Sequence, residues 1–542
     1  MIRKLIFCLL LCISVSVFGE EEVYTYGDFE YTIDGNDEVC ITGYNGEVED
    51  LIIPSEINGK KVVSIGDYAF SWGVLLINIY IPDSVTKIGE HVFYNCGGLT
   101  NINIPNSVRS IGGGVFNGCK NLCNVNISNE NENFAIINNM LYNKKEKSII
   151  SCFSNESHIT VPYGIRTIEV GAFGDCKSLT SINIPNSVTS IGELAFIGCE
   201  SLMNITLSNS VTSIGEYAFS QCKSLTNIAI PNSIMSIGEL AFKYCESLTN
   251  INIPDSVTSI GGGVFSECFS LENVMISEKN ENFAIINNIL YNKKEKSVIS
   301  CFSNDSHITI LSGIQTIETS AFSGCESLTS ITIPDSVTSI GEGAFSWCES
   351  LTNLTIPDSV TSIGEGAFSW CESLTNLTIP DSVTSIGEYA FSWCKSLTSI
   401  SIPDSVTSIG ECAFSWCESL TNLTIPDSIT SIEKGDFYNC ESLTTITIPN
   451  SVTYIGESAF SRCKSLTSIN IPDSLTSIGD NAFNGCTSLT SITIPNSVNS
   501  IGKDALYACP SLTIQCNAGS YAEQYCKENG IKYFTTPDWL LD

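Results

Sequence analysis

The feature that most limits how this chain can fold is a repeat of 23 residues. Prolines fall at 82, 105, 185, 231, 254, 334, 357, 380, 403, 426, 449, 472 and 495. Every gap is 23 or a multiple of 23 except across two places. Residues 333–355 and 356–378 are identical, and the unit reads SLTxIxIPxSVTSIGExAFxxC. In one copy, Leu351, Leu354 and Ile356 carry the apolar positions, and the Leu354-Thr355-Ile356 portion alternates as a strand does. Pro357 ends it, because proline cannot donate to a ladder. Asp358-Ser359 is turn chemistry. Val360 and Ile363 form a second short apolar piece, and Gly364 is expected to permit a sharp bend. Ala367, Phe368 and Cys371 follow at near-helical spacing, long enough for one turn. A coil of this size cannot bury its apolar edge alone, whereas stacked copies can.

At ~150 residues per domain, 542 residues would suggest three or four domains. The repeat predicts one stack instead. Phe recurs in register from Phe70 to Phe483 and predicts a continuous aromatic spine. About six apolar side chains per coil, at ~1.5–3 kcal/mol each, make stacking the main gross stabilising term. Lys and Arg total 25 against 58 Asp and Glu, a net charge of −33, which argues against nucleic acid as a partner because phosphate binding needs clustered cations. A hydrophobic content of 43% excludes an acidic disordered chain.

Residues 1–19 read as a secretory signal peptide. Arg3 and Lys4 form the charged region, residues 5–17 the apolar run, and Gly19 the small residue at the cleavage site. A lipoprotein reading at Cys12 is disfavoured by bulky Leu11 before it. No later segment reaches ~18 uninterrupted apolar residues, so no transmembrane segment is expected in the mature chain. The expected location is secreted, extracellular or at the cell surface, with the periplasm as the alternative.

The unit resembles the leucine-rich repeat of the BspA-like (bacterial surface antigen, treponemal) family, whose pattern is LxxIxLPxxLxxIGxxAFxxC. The resemblance covers residues 51–512. It implies a β-rich leucine-rich-repeat solenoid of about 19 coils with short strands and single helical turns, capped at both ends. Residues 20–50 resemble the family's N-terminal β-hairpin cap, and residues 513–542 its C-terminal cap with a short helix. Two coils are longer, at residues 128–162 and 277–311, and share ENFAIINN(M/I)LYNKKEKS(I/V)ISCFSN(E/D)SHIT. Glu replaces the Gly of the IG pair at 169, 318 and 433, so a left-handed backbone is not required there. The family resemblance further implies extracellular protein–protein or protein–glycan binding, that is, adhesion to host or community partners. The alternatives are a structural coat or spacer without a specific ligand, self-association included, and a scaffold partner of a surface hydrolase.

Several columns carry candidate chemistry. Sixteen of the 25 cysteines share one column, from Cys96 to Cys509. No C-x-x-C pair occurs and there are only 3 histidines, so a zinc site lacks its spacing, and no metal or cofactor is expected. Stacked, parallel Cβ vectors suit buried thiols that fill a corner and bond weakly to the backbone better than they suit disulfides. Cys516 and Cys526 are the candidate disulfide if any pair forms. Trp347, Trp370, Trp393 and Trp416 share a column held elsewhere by Asn95, Asp175, Gln221, Glu267 and Arg462, which predicts a solvent-facing side. Either the indoles form an apolar binding stripe, or duplicated coils have laid their rings flat on one another. Glu342, Glu365 and Glu388 stack in register, as do Asp335 and Asp358, in what reads as a solvated face able to attract cations or basic partners. Lys144, Lys145, Lys147 and Lys293, Lys294, Lys296 place basic residues on the two long-coil tips, as docking points or solvated hairpins. Thr332, Thr355, Thr378, Ser401 and Thr424 form a polar column on the strand face. His91, His158 and His307 sit in no catalytic motif, and no nucleophile elbow, HExxH or phosphate loop appears, so no enzyme is expected.

Overall fold

The computed structural model describes residues 22–536, so the expected signal peptide lies outside the described residues. The chain divides into two compact units: residues 1–155 with 167–176, and residues 156–166 with 177–542. Each is a stack of parallel-stranded coils. Among the described residues, the face strand recurs twenty times, from Asp50–Ile52 to Thr513–Asn517, close to the expected number of coils.

Two strand sets run through each unit. In the second, the face strands pair in parallel at a shift of one repeat, for example Asn204 with Asn227 and Asn376 with Ser399. A second set of two-residue strands pairs in the same way, Ser362 with Ser385 and Ile363 with Ile386. The expected strand, turn, strand order of the unit is thus present. Between the two sets lies a continuous apolar core, in which Val360, Ala367, Phe368, Cys371 and Leu374 are all fully buried. From Phe322 to Phe483 successive rings lie 5.1–5.8 Å apart, with planes within 2–13° of parallel.

The Ala-Phe-x-x-Cys segment was expected to form a helical turn. It forms hydrogen-bonded turns instead. The cause lies in two left-handed residues per coil, Gly366 (φ 53°) and Trp370 (φ 64°) in one copy, Tyr389 (53°) and Trp393 (64°) in the next. A left-handed residue every fourth position interrupts a right-handed helix. The freed backbone groups bond along the stack: the N–H groups of Gly343, Phe345 and Trp347 donate to the carbonyls of Glu365, Ala367 and Ser369 at 2.7, 2.7 and 2.8 Å. Among the described residues the single α-helix is Tyr521–Asn529, with Ser520 accepting from the Glu523 N–H and left-handed Gly530 ending it.

Gly364 has a different role from the bend expected of it. Its φ is not left-handed, in keeping with Glu at the equivalent positions 169, 318 and 433. It permits close approach: a Cβ at Gly364 would lie 2.6 Å from the carbonyl carbon of Gly341 and 2.7 Å from the Glu342 nitrogen.

Three coils are longer than 23 residues, and the last, in which Ser491 pairs with Thr513, is one residue shorter. The first is 28 residues long, since Asp50 pairs with Asn78. The sequence reading missed it, although its Asn58-Gly59 turn joins a short antiparallel hairpin, Glu56–Ile57 with Lys60–Ile65. The two 34-residue coils do not carry a lengthened turn ridge; they omit the ridge. Each replaces it with an antiparallel hairpin, Phe134–Ile137 with Met140–Asn143 in the first unit and Phe283–Ile286 with Ile289–Asn292 in the second. The ridges on either side then meet directly. A Cβ at Gly113 would lie 2.6 Å from the Val170 carbonyl, and one at Gly324 would lie 2.3 Å from Glu267 Cγ. The aromatic spine is correspondingly interrupted. Phe153 and Phe302 meet Phe116 and Phe265 edge-on, at 6.3 Å in both units.

These geometries predict unequal costs for two neighbouring glycines. Gly366→Ala meets nothing nearer than the Ser369 Cβ at 3.8 Å and bears only left-handed strain, about 1 kcal/mol. Gly364→Ala must shift the Gly341–Glu342 backbone, as the stack has adjusted to admit Glu433, and is expected to cost more than Gly366→Ala. Urea unfolding midpoints of the two variants measure the difference, and equal midpoints would refute this role for Gly364.

Candidate binding surface

The four tryptophans come together. Trp347–Trp370, Trp370–Trp393 and Trp393–Trp416 ring centroids lie 4.3, 4.1 and 4.2 Å apart, with planes within 9° of parallel. The expected solvent-facing strip is only half-exposed, because each inner ring spends both faces on its neighbours. Lys395 Nζ lies 5.2 Å from the Trp393 ring centroid and 5.9 Å from that of Trp370, and 2.6 Å from a Glu372 carboxylate oxygen. The ladder ends on Tyr438, edge-on to Trp416 at 5.8 Å, with the Arg462 guanidinium 5.6 Å above the Tyr438 ring.

The column itself is not uniformly solvent-facing. Asn439 and Glu267 occupy it and are buried. Glu267 is held by Lys243 at 3.6 Å and by the Ser323 hydroxyl at 3.3 Å. What unites the column is backbone: Asn95, Asp175, Gln221, Glu267, Arg462 and all four tryptophans have φ between 55° and 64°. A sequence signal for this existed. Gly118, Gly198, Gly324 and Gly485 share the column with Asn and Asp, the residues that adopt left-handed backbone most readily.

The cysteine column is a hydrogen-bonded corner. Cys371 Sγ donates to the Phe345 carbonyl at 3.2 Å, one coil back, and the bond recurs from Cys96 to Cys509 at 3.0–3.3 Å. Burial pushes the Cys394 and Cys440 thiols up to about 12. Cys301, which the sequence left outside the column, is buried beside Cys325, helps raise the Cys325 pKa and extends the column through the second long coil. Cys371, Cys394 and Cys440 are free thiols. Cys516 and Cys526 are both buried and close enough for charge on one to raise the pKa of the other.

The remaining columns are simpler. The strand-face column pairs in register, Thr309 with Thr332 and Thr378 with Ser401, and is exposed. His158 and His307 sit at equivalent surface positions beside Ser157 and Ser306, with ring nitrogen to hydroxyl distances of 2.8 and 2.9 Å. His91 is buried, stacked 5.1 Å from Tyr68, and burial lowers its pKa. The Glu column is mixed: Glu193, Glu216, Glu239 and Glu365 are half-buried, whereas Glu90, Glu342, Glu388, Glu411 and Glu457 are exposed, as a solvated face would have them. Desolvation, reinforced by Glu342 and Glu388 on either side, raises the Glu365 carboxyl to about 7, and Glu239 reaches about 7 for the same reasons. Among the described residues, no group of His, Cys, Asp or Glu is placed to hold a metal ion, and no helix is long and apolar enough to cross a membrane.

Parallel strands stacked at a 23-residue period, with an apolar spine and laddered turns, define a leucine-rich-repeat solenoid. The profile of the BspA type leucine-rich repeat region matches residues 44–159, 166–297, 298–421 and 384–513. The chain belongs to this family. Among solved structures it is similar to a leucine-rich repeat protein from Bacteroides ovatus, with 31% identity over 74% of this chain and 97% of that one and a TM-score of 0.42. It is similar to a leucine-rich cell surface protein from Faecalibacterium prausnitzii, with 25% identity over 96% and 99% of the two chains and a TM-score of 0.27. The pneumococcal vaccine antigen PcpA shares 17% identity over 95% of this chain and 99% of its own, with a TM-score of 0.37. No curated protein matches.

Two predictions follow from the columns. Iodoacetamide at pH 8 should modify exposed Cys123 in the native chain and reach the buried column only in denaturant; mass spectrometry of the labelled thiols reads this, and native labelling of Cys371 or Cys394 would refute the buried corner. The raised carboxyls give an inverted pH dependence. A carboxyl raised on folding favours the protonated form, so its stabilising effect is full below the unfolded pKa of ~4.5 and is lost as pH rises through about 7. Glu365→Gln should therefore raise the melting temperature at pH 8 and leave it unchanged at pH 4. An equal effect at both would refute the assignment.

Proposed function

We propose that this chain is exported and serves as a surface or secreted repeat scaffold that binds extracellular proteins or glycans, adhering to host or community partners. The observation that carries this reading is the indole ladder. Four side chains are clamped at 4.1–4.3 Å by stacking and by a hydrogen-bonded left-handed turn, so their conformational entropy is already lost before binding. Rigid aromatic edges beside a lysine–glutamate pair are the kind of surface on which binding hot spots concentrate. The strand-face column adds many weak equivalent contacts, which avidity makes useful. Family membership supports the reading, and two relatives are described as a cell surface protein and a vaccine antigen.

The test is a solid-phase binding panel of matrix proteins, bacterial surface proteins and polysaccharides against the chain and its Trp347→Ala/Trp370→Ala/Trp393→Ala/Trp416→Ala variant. A bound partner whose affinity falls at least tenfold in the variant, ~1.4 kcal/mol, supports the stripe. Unchanged affinity removes the stripe from the site. Binding to no panel member, together with strong self-association, favours the coat or spacer.

A further inference from the structure

We propose that each long coil holds a docking cleft for an extended peptide segment of a partner protein, bound by addition of a β-strand and selected for one carboxylate. In the first unit, strand Asn124–Ile127 pairs on one side with Asn101–Ile104, and no described strand pairs its other edge. Asn124 donates its N–H back to Thr100, so the alternate residues Val125 and Ile127 turn their N–H and C=O groups to the open side. The hairpin strand Phe134–Ile137 likewise pairs on one side only, with Met140–Asn143. Its two-residue turn, Asn138-Asn139, sets Ile136 with its backbone groups outward. A cleft of about 180 Å³ lies between these two edges, lined by Val125, Ile127, Phe134, Ile136 and Lys144 among others.

Two facing strand edges offer alternating donors and acceptors, and an extended polypeptide is the ligand whose own backbone matches them. Lys144 supplies the charge. Its ammonium bonds to the Asn131 carbonyl, which fixes it at the cleft, and it retains donors for an incoming carboxylate. The Asn131 amide nitrogen is buried without a hydrogen-bond partner. On a chain of net charge −33, one lysine selects a single carboxylate rather than an acidic run.

The second unit repeats the two strand edges, the tethered lysine and the unpartnered amide independently. Strand Asn273–Ile276 has one paired edge, hairpin strand Phe283–Ile286 has one paired edge, Lys293 bonds to the Asn280 carbonyl at 2.6 Å, and the Asn280 amide nitrogen is also unpartnered. The long coils thus interrupt the solenoid in the same way twice. Dropping the turn ridge also separates Asn273–Ile276 from the next face strand, His307–Thr309, with which it forms no ladder.

This inference deepens the binding-scaffold reading and rests on it, but it concerns a different surface from the indole ladder. The probe is a random heptapeptide display library selected on the full chain. Enriched peptides are expected to carry one Asp or Glu flanked by strand-forming residues. Synthetic copies should lose at least tenfold in affinity when alternate backbone nitrogens are methylated, which removes ladder donors without changing side chains. They should also weaken severalfold on Lys144→Gln/Lys293→Gln, checked for folding by its melting profile, and be unaffected by the four-tryptophan variant. No enrichment, or peptides indifferent to both N-methylation and the lysine variant, overturns the proposal. Self-association blocked by Lys144→Gln/Lys293→Gln, without peptide binding, would assign the clefts to a second copy and overturn it equally. A failed peptide selection beside a positive tryptophan-dependent binding panel would sink the clefts and leave the scaffold reading standing.

Discussion

The structure depends on how one turn ridge bonds to the next. In each coil that carries a turn ridge, left-handed residues free every second N–H of the Ala-Phe-x-x-Cys segment, and those N–H groups donate to the following coil. Phe345 shows the closure: its N–H donates to Ala367, and its carbonyl accepts from Cys348 in its own coil and from the Cys371 thiol in the next. Every such bond fixes the register of two coils at once. The phenylalanine rings, the indoles and the short strands then fall into columns because they have no freedom to do otherwise. Left-handed backbone at Trp370 or Tyr389 would cost ~1–2 kcal/mol in isolation and persists because the ladder over-determines it.

This dependence explains the cysteines. A small, weakly donating, apolar group is needed at the corner where the ridge passes a carbonyl of the preceding coil, and a thiol meets all three requirements. Desolvation holds these thiols protonated, and Cys394 and Cys440 each donate to a phenylalanine carbonyl of the preceding coil. The same dependence explains the long coils. A coil that omits its ridge must let the ridges on either side meet, and Gly113, Gly171 and Gly324 supply the room. The displaced chain leaves as a hairpin, and with it come the unpaired strand edges.

Much of this was legible in the sequence, for a physical reason. A 23-residue period forces equivalent residues into columns, so the apolar columns had to be the core and Phe368, Val360 and Cys371 had to be buried. The periodicity likewise gave the strand positions around Leu354 and Ile363. The turn ridge was misread. Ala367, Phe368 and Cys371 have helical spacing, and the left-handed signature lay in the column they omit, where Gly118, Gly198, Asn95 and Asp175 sit beside the tryptophans. That column was read as solvent-facing because its residues are polar, when they are there for their backbone. Gly364 was read for flexibility when its use is the lack of a side chain.

The sequence by itself therefore determined the period, the strand columns, the buried spine and the family of fold, because these follow from one pattern repeated in register. Only the tertiary structure decided what happens between coils. It set the indoles into a stack rather than a strip and half-buried part of the glutamate column, Glu239 and Glu365 included. It also brought Cys301 into line with Cys325, turned Phe302 edge-on to Phe265 and opened a cleft at Lys144. Each of these depends on distances between residues of different coils, and a pattern that records order along one chain carries no such distance until the coils are stacked.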